Sequence, residues 1–84
     1  MTAELLNTYD IVALARKHVA ANPSMESSAR LCLADAVDCY NHGEYVQATQ
    51  RALKSLTYSV GIFHPDCAKA HRDALIATVN TSGE

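Results

Sequence analysis

The sequence predicts an all-α protein, a small antiparallel four-helix up-and-down bundle. Three observations predict it. No stretch alternates apolar and polar residues as a half-buried strand would, and apolar residues recur at three- and four-residue spacing. The breakers Pro23, Gly43, Gly61, Pro65 and Gly83 cut the chain into four segments of helical length. Connections of only a few residues then force successive helices to lie antiparallel, as a closed bundle or a stack of helical hairpins. With 84 residues, the chain is expected to form a single helical domain over 1–84.

The first helix is expected over about 2–21. Glu4 and Asp10 lie early in it and Arg16, Lys17 and His18 late, an order that complements the helix dipole, and Asn22-Pro23 stops it. At 100° per residue its inward stripe is Leu5, Leu6, Tyr9, Val12, Ala13, Val19 and Ala20, with Arg16 among them. A second helix, about 24–41, takes Ser24 as N-cap, pairs Glu26 with Arg30 and ends at Gly43 as a left-handed cap. Its stripe runs from Met25 and Ala29 through Cys32, Leu33, Ala36, Val37 and Cys39 to Tyr40.

The third helix, about 44–60, carries Tyr45, Ala48, Ala52, Leu53, Leu56 and Val60 inward. Ala48, Ala52, Ser55 and Ser59 form an edge of small residues that invites close approach. Gly61 breaks it, and Pro65 sits in the first turn of a fourth helix, about 65–79. Cys67, Ala68, Ala70, His71, Ala74, Leu75, Thr78 and Val79 make its inward face, and 80–84 is a frayed tail.

Fourteen Ala, one Phe, four Tyr and no Trp mean a core assembled from small pieces. Seven Lys and Arg against nine Asp and Glu give a net charge of −2, and the longest basic run is Arg16-Lys17-His18. Nucleic-acid binding is not expected from that balance. No window approaches the roughly 18 apolar residues of a membrane span, so no membrane contact is expected either. Glu4 stands where a signal peptide would carry cations. Cys32, Cys39 and Cys67 are odd in number and lack CxxC spacing, which fits reduced thiols and a cytoplasmic location.

Several side chains stand apart from this pattern. Ile11, Leu14, Leu31 and Ile76 point away from the faces their helices should bury; merged into one patch, they would mark a partner or homo-oligomer surface. Tyr58 falls on a polar face beside Arg51 and Lys54, either as a binding hot spot or with its ring laid over a cationic stem. Arg16 either snorkels to water or meets Asp35 or Asp38 on the second helix. His64, Cys67 and His71 at i, i+3 and i+7 share a helix face and are the best metal-ligand set in the chain. Against that, His64 suits a helix cap, and Cys67 and His71 suit the apolar stripe.

The segment from Ala36 through Tyr40, Gly43, Glu44 and Tyr45 to Ala48 resembles the hairpin of tetratricopeptide (TPR) repeats and that of microtubule-interacting and trafficking (MIT) domains. The likeness spans residues 29–60. It implies small residues where two backbones touch, a Gly-acid-Tyr turn, and a role in protein binding. The chain lacks the large aromatic near the start of the second helix, the Pro after the third, and any second copy of the unit, so a repeat array is excluded. The same letters resemble, more distantly, helical domains of the HEPN type, four-helix bundles some of which cleave RNA. No Arg here is followed by a His four to six residues on, as those ribonucleases require.

There is no paired-carboxylate constellation, Gly-rich phosphate loop or Ser-His-Asp arrangement. The expected function is therefore a non-enzymatic helical interaction module without cofactor, binding a partner protein or itself through apolar helix faces. The alternative is a metal- or redox-responsive protein using His64, Cys67 and His71.

Overall fold

The computed structural model of the chain describes residues 6–22, 27–61 and 63–82, with side-chain environments as far as Ile76. Four helices follow one another: α1 (Thr8–Ala21), α2 (Ser27–Asn41), α3 (Tyr45–Val60) and α4 (Pro65–Ser82). No strand occurs among the described residues. No described helix is long and apolar enough to cross a membrane. The Ser24 cap, the Glu26–Arg30 pair, the segment from Thr2 to Leu5, Met25, and the side chains of Thr78 and Val79 lie outside the described residues.

α1 begins six residues later than the pattern predicts, because Asn7 and Asp10 form a capping box. The Asn7 side chain accepts the Asp10 N–H at 2.9 Å, and the Asp10 carboxylate accepts the Asn7 N–H at 3.4 Å. α2 ends as expected at Gly43, whose φ of +78° only glycine adopts at little cost. There the Glu44 N–H donates to the Cys39 carbonyl and the Gly43 N–H to the Tyr40 carbonyl, a Schellman motif. Gly61, at φ +88°, ends α3. α4 continues to Ser82, so positions 80–82, expected in a frayed tail, are helical.

The order of the helices in space follows from who meets whom. Tyr9 at the start of α1 meets Tyr40 at the end of α2, and Ser55 late in α3 donates to the carbonyl of Ala29 early in α2. His18 at the end of α1 meets Asp66 at the start of α4. Each of these pairs joins opposite ends, so the helices alternate up and down. Thr8 at the start of α1 and Thr49 early in α3 bond at 2.8 Å, in keeping with α1 running parallel to α3. α3 touches all three other helices, while α2 and α4 do not meet. The result is a flat bundle with extents of 41 × 32 × 18 Å.

The core is small in grain. Ile11 and Leu56 are the only large aliphatic side chains buried below two per cent exposure among the described residues; around them sit Ala15, Ala36, Ala52, Ala70 and Cys67. α2 and α3 make the most extensive helix pair, and Ala29 and Ala36 on α2 and Ala48 and Ala52 on α3 are fully buried. Residues with little beyond Cβ let two helix axes approach at the short end of the usual range of about 8–10 Å.

Three predicted faces are corrected. In α1 the buried residues are Ile11, Val12, Ala15 and Val19, with Leu14 packed against them, while Tyr9, Ala13, Arg16 and Ala20 are exposed. The helix is thus turned by about one residue from its expected setting. Burying Ile11 and Leu14 removes far more apolar area from water than burying Ala13 and Ala20, and the turn frees the Arg16 charge. In α4, Leu75 is 66% exposed and Ala68 exposed, since this helix meets only α1 and α3. In α3, Tyr45, expected on the inward face, lies half exposed at the α2–α3 turn, its ring edge-on to Tyr40 at 5.3 Å.

Candidate functional site

Of the five side chains expected at a partner surface, two are elsewhere. Ile11 is 1% exposed at the centre of the core and Leu14 packs against it, both because α1 is turned inward on that side. Leu31, Tyr58 and Ile76 are exposed, but on α2, α3 and α4 respectively, and they line neither cleft described below.

The metal-ligand set is not gathered either. His64 is exposed at the start of α4, where its Nδ1 accepts the Asp66 N–H at 3.2 Å and its carbonyl accepts the Ala68 N–H, so it caps the helix. Cys67 is fully buried with its Sγ 3.7 Å from Thr57 Oγ1, and His71 is half-buried. The Thr57 hydroxyl donates to the Leu53 carbonyl, which leaves its lone pairs facing the thiol. Among the described residues no three His, Cys, Asp or Glu side chains are placed to hold a metal ion.

What the fold does build is a cleft. α1 and α2 both pack on α3, and they meet each other less closely than either meets α3. Between them runs a trough in two connected parts. The narrower part, about 160 Å³, is lined by Tyr9, Val12, Ala13, Val37 and Tyr40, with Arg16 and Asn41 at its border. Arg16, Val37 and Asn41 also line the wider, more open part of about 580 Å³, together with Arg30, Leu33, Asp35 and Asp38. The rings of Tyr9 and Tyr40 stand 6.1 Å apart at one end of the trough, and Tyr40 in turn meets Tyr45 outside the lining.

The trough is apolar at its tyrosine end and charged at the other. Arg16 does not reach Asp35 or Asp38 within ion-pair distance. It is exposed and makes no ion pair among the described residues, and the same holds for Asp35. Asp38 is occupied along its own helix: its carbonyl accepts the His42 Nδ1–H at 2.7 Å, which raises the His42 pKa above 6.5, helped by the Asp38 charge. The turn of α1 that took Ile11 into the core is what brings Tyr9, Ala13 and Arg16 onto this surface.

A second polar arrangement joins α1 to α4. Asp73 is fully buried, and its Oδ2 accepts the Leu6 N–H and the Lys69 ammonium, each at 2.8 Å. Its Oδ1 lies 3.6 Å from Arg72 Nε and accepts no hydrogen bond among the described residues. The Lys69 hydrogen bond and then the Leu6 N–H hold the Asp73 carboxyl below its ordinary value of 3.8. One end of the same seam is closed by His18 Nε2 and Asp66 Oδ2 at 2.8 Å, with the His64 ring edge-on to His18 at 5.5 Å. The His18 hydrogen bond holds Asp66 below 3.8 as well.

Sequence reasoning missed the roles of Tyr9, Val37, Tyr40 and Asp73. For Asp73 the signal was present, since Lys69 precedes it by one helical turn. Compared with family models, curated proteins and solved structures, the chain finds no match.

Proposed function

We propose that this chain is a non-enzymatic helical interaction module of the cytoplasm and that it binds protein through the trough between α1 and α2. The observation that carries this reading is the trough itself, apolar at one end and flanked at the other by charged side chains, of which Arg16 and Asp35 make no ion pair among the described residues. Clefts with an apolar floor and a polar rim are where helical segments dock by their apolar faces. Tyr9, 63% exposed and already held by Tyr40, offers a large contact area at small cost in side-chain freedom.

Two further observations support the non-enzymatic part. The two carboxylates with lowered pKa, Asp66 and Asp73, are both engaged in contacts between helices, and neither lines the trough. Cys67 is buried beneath Thr57, without the exposure a nucleophile needs. The close α2–α3 hairpin, with Ala36 and Ala48 fully buried, is in keeping with the TPR-like and MIT-like likeness and its protein-binding role.

A photo-reactive amino acid placed at Ala13, inside the trough, and at Arg51, outside it, tests the proposal in cells. Protein adducts formed at position 13 and absent at position 51 are expected. Adducts only at 51, or equal at both, overturn it.

A further inference from the structure

The charges in the trough point to a particular occupant. Arg16 comes from α1 and Asp35 from α2; both line the wide part, both are exposed, and neither has an ion-pair partner among the described residues, each other included. Arg30 and Asp38 also line the α2 wall, so the α1 wall offers a cation and the α2 wall, with two carboxylates and one guanidinium, a net negative charge. Because Tyr9 meets Tyr40 and the two helices run in opposite directions, Arg16, seven residues into α1 from Tyr9, stands level with Leu33, about half a turn along α2 from Asp35. A surface with opposite signs at the same height on its two walls is complementary to itself.

We propose that the trough is filled by a second copy of this chain, related by a twofold axis running along the cleft. This rests on the trough being the interaction surface. Rotation about that axis lays α1 of one copy over α2 of the other at the same height. Arg16 then faces the partner's Asp35, and by symmetry Asp35 faces the partner's Arg16, so the contact closes as a dimer with two ion pairs. Tyr9, Ala13 and Val37 of both copies cover one another between them. A standard interface takes about 800 Å² from each partner. That is about a seventh of the 5640 Å² the chain exposes, which one broad face of a molecule only 18 Å thick supplies.

Reversing charges tests this directly. Sedimentation over a range of concentrations is expected to show a dimer. Arg16→Glu and Asp35→Arg, each at an exposed position, are expected to raise its dissociation constant at least about tenfold, because each breaks both pairs at once. Circular dichroism and thermal unfolding of the dilute monomers are expected to match the parent. The double variant Arg16→Glu/Asp35→Arg is expected to dimerise again, since the pairs re-form with signs exchanged. A dimer indifferent to both reversals, or a double variant no tighter than the singles, overturns the proposal. So does a strict monomer. With the probe at Ala13, a monomer that still cross-links a foreign protein there overturns only the dimer. A dimer whose cross-links avoid position 13 overturns the trough as well.

Discussion

The α2–α3 hairpin and the α1–α4 seam are built from different chemistry. In the hairpin, two fully buried alanines on each helix are small and apolar, and the buried polar link, Ser55 Oγ to the Ala29 carbonyl at 2.8 Å, is neutral. In the seam, the links are a buried carboxylate that ties down the backbone before α1, and a histidine–aspartate contact at the far end. Small apolar residues hold elements together at any pH but tolerate no increase in size. Charged links answer to pH and salt and depend on both partners being present. The contrast teaches that α4 belongs to the fold by a weaker and more conditional attachment than α2 does.

The largest effect is expected where the hairpin is tightest. Ala36→Leu should destabilise by about 3 kcal/mol, since the position is fully buried in the core cluster and has no room for a larger side chain, and the loss should be equal at pH 4 and pH 7. For a chain of this length each 1 kcal/mol is worth roughly 4–8 °C in Tm, so thermal unfolding reads it easily. A cost that varied with pH would blur the contrast.

Next comes Asp73→Ala, which leaves the Leu6 N–H without its acceptor and takes the Asp73 carboxylate away from the Lys69 ammonium. About 2 kcal/mol is expected by denaturant unfolding, with the amides of α4 losing hydrogen-exchange protection before those of α3. Uniform loss of protection across all four helices would show that the seam is no weaker than the hairpin.

Acid should separate the two regions without any substitution. Asp66 and Asp73 release their protons more readily folded than unfolded, so their share of stability is fully present above 3.8. It is lost as the pH falls through their lower folded values. On acidification α4 should therefore loosen first, followed by amide exchange or by the His18 ring signals. In the Asp73→Ala variant that acid response should shrink.

Two smaller changes sharpen the comparison from either side. Ser55→Ala should cost about 1 kcal/mol, as the Ala29 carbonyl keeps its helical partner and loses only the second bond. Asp66→Ala, whose side chain is 41% exposed, should cost less than about 1 kcal/mol and lose its effect in high salt, whereas Ser55→Ala should be indifferent to salt.

Much of this architecture was legible beforehand. Gly43, Gly61 and Pro65 act through the local backbone alone, so the ends of α2 and α3 and the start of α4 could be read without knowing what packs against them. The start of α1 was equally local: Asn7 and Asp10 stand at capping-box spacing, and the late start follows from reading them as a cap. The candidate site was hardly legible. Ile11-Val12-Ala13-Leu14-Ala15 is a run of five apolar residues, so periodicity could not choose which side of α1 faces inward. The trough exists only because of that choice.

The order of residues by itself determined that this chain is helical, where its turns fall, and that small residues line its second and third helices. These are matters of backbone preference and short-range spacing. Only the tertiary structure decided that Ile11 goes inward while Tyr9 and Arg16 go out, that Asp73 is buried beneath Leu6, and that α2 and α4 never meet. Each depends on surfaces far apart in sequence competing for the same space, and the arrangement that buries the most apolar area while satisfying the charges prevails.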